Sequence, residues 1–192
     1  MTLQIMANGN PAPITLSGVR LTFLNFEGAV KKPIVDQQGN LQGMKGRYNT
    51  NGARKFALRL DEDMARLMES DGFNIKWPKP DPERYPDPAE DPRQATLEIT
   101  VSKDQQVSPS VGIMIHNNQT GMDDRIPEEA LFTIDDMNIA YADVVINPCA
   151  WTMNEGTPDE KHGIKAYLRA IKIYLNDYSY SFEPNYGVEL ED

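Results

Sequence analysis

The chain has 192 residues, which is enough for one domain with a substantial core and too few for two full domains. Its single cysteine excludes an internal disulfide, and two histidines are too few for a His/Cys zinc site, so we expect neither a structural metal nor a cofactor. Because no apolar run approaches the length of a membrane-spanning helix and the first residues lack a signal-peptide pattern, we expect a cytoplasmic protein without a membrane partner.

The net charge of −10 is unevenly distributed along the chain. Residues 1–60 contain eight lysines and arginines and two acidic residues, a net charge of +6, which leaves −16 for the remaining residues. Binding to phosphates normally requires a basic surface. The asymmetry allows a positive groove on one side of an otherwise acidic molecule.

The chain begins with a segment of little periodicity and continues into a predicted strand. Residues 1–16 carry asparagine, glycine and proline, and we assign them to a flexible lead-in before a domain that spans residues 17–175. Apolar residues then occupy every second position at Val19, Leu21 and Phe23, which predicts a core strand.

Residues 28–52 are rich in lysine, glycine, glutamine and asparagine, which predicts a long mobile loop or a loose hairpin. Loops of this kind often carry function. The basic and aromatic residues that it brings directly before the next alternating run, 56–60, are Lys45, Arg47, Tyr48, Arg54 and Lys55.

A short helix is predicted over residues 61–72. Asp61 can cap its N-terminus, apolar residues recur at helical spacing, and Gly72 occupies the position that follows a helix C-terminus.

A strand and an insertion follow this helix. The strand is indicated by the alternation of Phe73, Ile75 and Trp77 with polar residues, among them Lys76. Residues 78–92 contain six prolines, which exclude a helix or an interior strand. We expect an extended acidic insertion in solvent; a polyproline docking motif is the weaker interpretation, because no PxxP flanked by basic residues is present.

Three further strands are predicted before residue 147. Residues 97–101 and 111–115 both alternate and are separated by a turn, so they indicate a hairpin, and residues 137–146 form another alternating run. These elements predict a mainly β protein, a mostly antiparallel sheet of short strands with one short helix.

Residues 147–175 predict two strands joined by a long hairpin. In the second strand, Lys165, Tyr167 and Arg169 share one face, opposite an apolar face, and this combination suits stacking on a base and contact with the neighbouring phosphates. Since the apolar alternation changes phase after Ala170, we expect a β-bulge there. The apolar residues also recur at helical spacing, so periodicity alone leaves a helix open.

Residues 176–192 form an acidic tail with five acidic residues, no lysine or arginine, and interleaved aromatic residues. Such a segment is typical of a disordered solubility tail. Alternatively, it is a mobile segment that covers a basic groove or recruits partner proteins.

Catalytic motifs for phosphate binding, metalloproteolysis and serine hydrolysis are missing from the sequence, so we expect no enzymatic activity. Cys149 has no histidine at an informative spacing and is interpreted as a structural thiol. Acidic clusters at 61–63 and 123–124 could bind a divalent ion, but a helix N-terminus and an exposed turn explain them more simply. Trp77 and Trp151 each end an alternating run, where a core or sheet-edge role competes with base stacking.

The segments NGARKF at residues 51–56, DGFNIKW at 71–77 and GIKAYL at 163–168 are the strongest of several distinctive stretches between residues 17 and 175. Together these stretches resemble bacteriophage single-stranded DNA-binding proteins of the OB-fold type. The resemblance implies a small OB-fold-like β-barrel with long insertions that coats single-stranded DNA (ssDNA) during phage replication or recombination, in the host-cell cytoplasm. Such proteins often have an acidic tail that ends in an aromatic residue, whereas this chain ends Val-Glu-Leu-Glu-Asp.

The function we expect is non-catalytic, largely sequence-independent binding of ssDNA by phosphate neutralisation and base stacking. An acidic interaction protein that mimics DNA is the alternative from another class, and a metal-dependent nuclease is the third. The predicted DNA-binding residues are Lys45, Arg47, Tyr48, Arg54, Lys55, Lys76, Trp77, Trp151, Lys165, Tyr167 and Arg169. Phage replication or recombination proteins are the expected partners of the acidic tail.

Overall fold

A computed structural model describes residues 11–29, 32–35, 38, 41–45, 52–87, 91–102, 112–118 and 120–176. The expectations for residues 1–10, for Arg47 and Tyr48, and for the tail beyond residue 176 fall outside these ranges. The described residues form, in chain order, β1 (Ile14–Asn25), β2 (Lys32–Val35), β3 (Leu41–Lys45), β4 (Arg54–Leu60), α1 (Glu62–Ser70), β5 (Ile75–Lys76), β6 (Ala95–Val101), β7 (Gly112–His116), β8 (Asp123–Arg125), a 3₁₀ helix (Glu128–Asp136), β9 (Ile139–Met153) and β10 (Lys161–Leu175).

Five of these strands close into a barrel in the order β1, β4, β6, β10, β9 and back to β1. Neighbours in the barrel are antiparallel except β6 and β10, which run parallel. A closed five-stranded barrel of this kind is the architecture of an OB-fold, which confirms the predicted fold class. β7 and β8 extend the sheet beyond β10, and β5 pairs with the free edge of β6.

The core lies inside the barrel, where every barrel strand contributes alternating apolar side chains. One fully or nearly fully buried residue from each strand illustrates this pattern: Leu16, Leu58, Ile99, Ile146 and Leu168. Successive side chains of a strand point to opposite faces, so the apolar residues that alternate along the sequence are the ones that point into the barrel.

The predicted hairpin between residues 97–101 and 111–115 is wrong. β6 and β7 do not pair with each other; each pairs in parallel with a different part of β10. Alternation identifies a strand but carries no information about its partner, and the long β10 offers one edge that can hold both strands in succession.

The helix prediction is confirmed at both ends. The carboxylate of Asp61 accepts a hydrogen bond from the backbone N–H of Met64 at 2.8 Å, which is an N-cap. After α1, Gly72 has φ +99° and the N–H of Phe73 donates to the carbonyl of Met68 at 3.0 Å. The strand predicted to follow this helix is shorter than expected: β5 contains only Ile75 and Lys76.

The segment predicted as a loop or loose hairpin contains the two-stranded sheet β2–β3. Gly28 and Gly52 bring its two ends together, since a Cβ atom at Gly28 would lie 2.7 Å from the carbonyl oxygen of Gly52. In the described part of the proline-rich insertion, residues 78–87 and 91–92, there is no strand or helix.

Bulges occur in both β10 and β1. The register of β10 against β9 shifts between Leu168 and Ala170, so the predicted bulge is confirmed. β1 shifts against β4 between Thr22 and Asn25, and there the sequence interpretation was wrong: Phe23 is not in the core but is 76% exposed. β1 also begins at Ile14, earlier than the pattern indicated.

Candidate nucleic-acid interface

The outward side chains of β4, β5, β6 and β10 form one surface, which we call the outer face. The strand registers pair Lys55 with Thr100, and Thr100 with Tyr167, so these three residues form a row across β4, β6 and β10. Neighbouring strands are about 5 Å apart. Lys165 lies one outward position before Tyr167, and its ammonium group is 5.1 Å from the centre of the tyrosine ring.

Glu98 lies on β6 between two lysines of this face. Its Oε2 accepts hydrogen bonds from the Nζ atoms of Lys55 at 3.1 Å and Lys76 at 3.2 Å. Partial burial opposes ionisation of Glu98, but the hydrogen bonds from the two lysines outweigh it and hold the pKa of the carboxyl below its usual value. Glu98 is therefore a carboxylate at neutral pH.

A cavity of about 490 Å³ opens beside this cluster. We call it the Phe23 cavity. Its walls are formed by β1, β4, β5 and β6, and the lining residues are Phe23, Leu24, Asn25, Lys55, Phe56, Ala57, Lys76, Thr96 and Glu98. An exposed ring next to two cations has the chemistry that ssDNA-binding surfaces use, a stacking platform beside phosphate contacts.

Phe23 is held in this position by the bulge in β1. Thr22 pairs with Ala57 and Asn25 with Lys55, so Phe23 and Leu24 together face a single residue of β4. Phe23 has φ +51°, a left-handed conformation that a bulky residue adopts only under constraint. The bulge turns the ring outward.

The chain beyond the bulge is anchored on both sides. The ring of Phe26 is buried and stacks on that of Phe56, with centroids 5.1 Å apart. The carboxylate of Asp135 accepts hydrogen bonds from the backbone N–H groups of Phe26 at 2.7 Å and Glu27 at 3.0 Å. These contacts fix the end of β1, which stabilises the strained conformation at Phe23.

The β9–β10 hairpin places Trp151 on the same side as Lys165 and Tyr167. Its partner in the register is Gly163, and a Cβ atom at Gly163 would lie 3.0 Å from Cζ2 of the indole. The ring therefore lies directly on the glycine, and Trp151 is nevertheless 39% exposed. Arg169 is exposed at the bulge of β10, further along this strand.

Two predicted binding residues have contacts that keep them away from this arrangement. The guanidinium of Arg54 forms an ion pair with Glu128 at 3.0 Å, and its side chain alternates with that of Lys55 along β4. Trp77 donates its indole N–H to Glu69 at 2.9 Å, and the guanidinium of Arg66 lies 5.2 Å from its ring. Trp77 thus packs against α1.

The structure brings together a subset of the predicted residues. Lys55 and Lys76 meet at Glu98, while Trp151, Lys165 and Tyr167 share the β9–β10 hairpin. Lys45 lies in β3, for which the structure describes the backbone but not the side chains. Arg47 and Tyr48 lie outside the described residues.

Two residues at the centre of the interface, Phe23 and Glu98, were missed by sequence reasoning. For Phe23 a signal was available: the apolar alternation shifts from Phe23 to the adjacent Leu24 and then Phe26, the same kind of phase change that indicated the bulge in β10. Glu98 had no such signal, because an acidic residue at an outward strand position is ordinary.

Burial raises the pKa of the Cys149 thiol above its ordinary value, against the opposing charge of Lys165. The thiol is therefore protonated at neutral pH and lacks the thiolate character of a nucleophile. Within the described ranges, no group of three or more His, Cys, Asp or Glu side chains is arranged to hold a metal ion. Among the same residues, no helix is long and apolar enough to cross a membrane.

A family profile described as "Putative phage ssDNA-binding domain" matches residues 9–186 of this chain. The chain belongs to this family. Two solved structures resemble this member of the phage ssDNA-binding family, both with 12% sequence identity: the single-stranded DNA-binding protein from bacteriophage Enc34 and its C-terminal truncation. The truncated protein aligns over 92% of this chain and 95% of its own length with a TM-score of 0.45, and the full protein over 96% and 94% with a TM-score of 0.44. Comparison with curated proteins gives no match.

Proposed function

We propose that this protein binds ssDNA without catalysis and largely without regard to sequence, and that it coats single strands during phage DNA replication or recombination. Membership of the phage ssDNA-binding family supports this proposal. The observation that carries it is the outer face of the barrel, where Lys55 and Lys76 line an open cavity together with the exposed ring of Phe23, and Lys165 lies 5.1 Å from the ring of Tyr167.

The chemistry of ssDNA matches this surface in two ways. Its phosphates are neutralised by Lys55, Lys76 and Lys165, and release of their counterions favours association. Its unpaired bases expose flat faces that stack on aromatic rings irrespective of base identity, each stack contributing about 1–3 kcal/mol. Phe23 and Tyr167 supply such rings at the cavity and on the neighbouring strand β10.

The overall charge of −10 does not prevent this mode of binding. Charges more than about 8 Å apart are largely screened at physiological ionic strength. The local cations of the outer face therefore determine the interaction with phosphates, while distant acidic residues favour solubility. We further propose that the acidic residues 176–192 contact phage replication or recombination proteins.

The test is binding of a fluorescein-labelled oligo-dT and of a duplex of the same length, measured by anisotropy at two salt concentrations. We expect tighter binding to the single strand and weaker binding at higher salt, without cleavage when magnesium is added. Absence of binding to either DNA would contradict the proposal and favour the DNA-mimic alternative, for which the net charge of −10 is the active feature. Magnesium-dependent cleavage would show a nuclease.

A further inference from the structure

Glu98 occupies the place between Lys55 and Lys76 where a phosphate would bind. One carboxylate oxygen accepts hydrogen bonds from both ammonium groups, at 3.1 and 3.2 Å, and the two lysines come from strands on either side of β6. A phosphate oxygen carries the same negative charge and accepts the same hydrogen bonds. The two anions therefore compete for one pair of cations.

The same three side chains line the Phe23 cavity. A base stacked on the exposed ring of Phe23 would place its own backbone next to the lysines, because the cavity joins the ring to the cluster. The volume of about 490 Å³ is at the lower end of the range for pockets that hold small organic ligands, about 300–1,000 Å³. The cavity is thus large enough for one nucleotide.

We propose that the Phe23 cavity is a single-nucleotide site in which the base stacks on Phe23 and the phosphate displaces Glu98 from Lys55 and Lys76. Glu98 is then a built-in competitor that holds the two lysines in position in the free protein and lowers the affinity for DNA. The inference rests on the proposed ssDNA binding and adds a site and a residue that opposes it.

This role has a clear energetic consequence. When DNA binds, the ion pairs of Glu98 are given up, so the net gain from the two lysine–phosphate contacts is reduced by the free energy of those pairs. Removing the charge of Glu98 leaves both lysines free to bind phosphate and also removes a repulsion between the carboxylate and the DNA backbone. Affinity should therefore increase.

The experiment compares Glu98→Gln with wild type by oligo-dT anisotropy at low salt. We expect binding that is roughly three- to tenfold tighter, the effect of one like charge removed close to a phosphate. Glu62→Gln is the matched control, because it removes the same charge from an exposed carboxylate that pairs with Arg66 on α1 and does not line the cavity. Glu98→Thr is a second variant that removes the charge. Threonine is favourable in strands, and the neighbouring outward positions of β6 are already threonines, Thr96 and Thr100.

A second measurement separates competition for the lysines from a general charge effect. In a Lys55→Met/Lys76→Met background, Glu98→Gln should tighten binding less than it does in wild type, because the competed cations are gone and only the repulsion between the carboxylate and the DNA backbone is relieved. Equal tightening in both backgrounds would show a general charge effect and overturn the competitor role. Phe23→Ala should weaken binding by roughly tenfold, the loss of one stacked base, whereas Phe132→Ala, which removes an exposed ring from the 3₁₀ helix, should not.

The outcomes distinguish this inference from the proposed function. If wild type binds oligo-dT but Glu98→Gln and Glu98→Thr bind no more tightly than Glu62→Gln, the competitor role is overturned and ssDNA binding stands. If Phe23→Ala binds as well as Phe132→Ala, the single-nucleotide site is overturned. If wild type does not bind ssDNA at all, the proposed function itself is wrong.

Discussion

Phe23 combines a positive φ of 51° with a ring that is 76% exposed. A left-handed conformation costs a residue with a Cβ atom about 1–2 kcal/mol, and an exposed ring returns little of this through burial. Folding alone therefore gives no reason for phenylalanine at this position. Strained residues of this kind are concentrated at functional sites.

We predict that Phe23→Gly stabilises the protein while it weakens DNA binding. Glycine adopts positive φ without a steric penalty, so the free energy of unfolding should rise by about 1 kcal/mol and the Tm by roughly 2–4 °C. Thermal unfolding followed by circular dichroism checks the first effect and oligo-dT anisotropy the second.

Phe132→Gly is the control for this change. Phe132 is also exposed but lies in the 3₁₀ helix and has no positive φ, so glycine should lower the Tm there. If Phe23→Gly lowers the Tm as Phe132→Gly does, the conformation at Phe23 is not strained.

At the scale of elements, the two tryptophans differ in their surroundings: Trp151 is part of the β9–β10 hairpin, and Trp77 packs against helix α1. The exposed fractions of Trp77 and Trp151, 37% and 39%, are nearly equal, so exposure alone does not distinguish them. Their contacts do: Trp77 is hydrogen bonded to Glu69 on α1, whereas Trp151 lies on Gly163 beside Lys165 and Tyr167.

We predict that oligo-dT quenches the fluorescence of Trp151 and not that of Trp77, because stacking on a base quenches an indole. Titration of Trp77→Phe should therefore retain the quenching of wild type, and Trp151→Phe should lose most of it. Equal quenching in both variants would mean that the DNA also reaches the surface of α1.

The strands and the helix could largely be predicted from the sequence, because each has a local signal. Alternation revealed the barrel strands, Asp61 and Gly72 marked the ends of α1, and the phase change near Ala170 located a bulge. The pairing of β6 and β7 with β10 could not be predicted, since register and partner depend on contacts distant in sequence.

The candidate site was predicted only in part, because it also depends on which strands pair with each other. Lysines and aromatic residues in β4, β5 and β10 were identified by their type and alternation. The cluster at Glu98 exists only because β4 and β5 pair with opposite edges of β6, and no local pattern encodes that.

At the scale of the whole molecule, the binding surface is a small cationic area on an acidic protein. For a single strand, each phosphate contact contributes about 0.7 to the slope of log K against log salt concentration. We predict that Lys165→Ala reduces this slope by about 0.7 and lowers the affinity at low salt. The measurement is oligo-dT anisotropy at several salt concentrations.

Arg54→Ala is the matched control for the salt dependence. It removes one positive charge, but that charge is already paired with Glu128 and its side chain points away from Lys55. Its slope should equal that of wild type. A reduced slope in Arg54→Ala with no change in Lys165→Ala would place the DNA on the other side of β4.

Photocrosslinking tests most directly the central claim that ssDNA lies across the outer face of the barrel. An oligonucleotide containing 5-bromodeoxyuridine is bound, irradiated and digested, and the crosslinked residues are identified by mass spectrometry. We predict crosslinks at Phe23, Tyr167 and Trp151, the rings that line the cavity and the β9–β10 hairpin. Crosslinks confined to Tyr85 or Phe132, which lie in the proline-rich insertion and in the 3₁₀ helix, would contradict the claim.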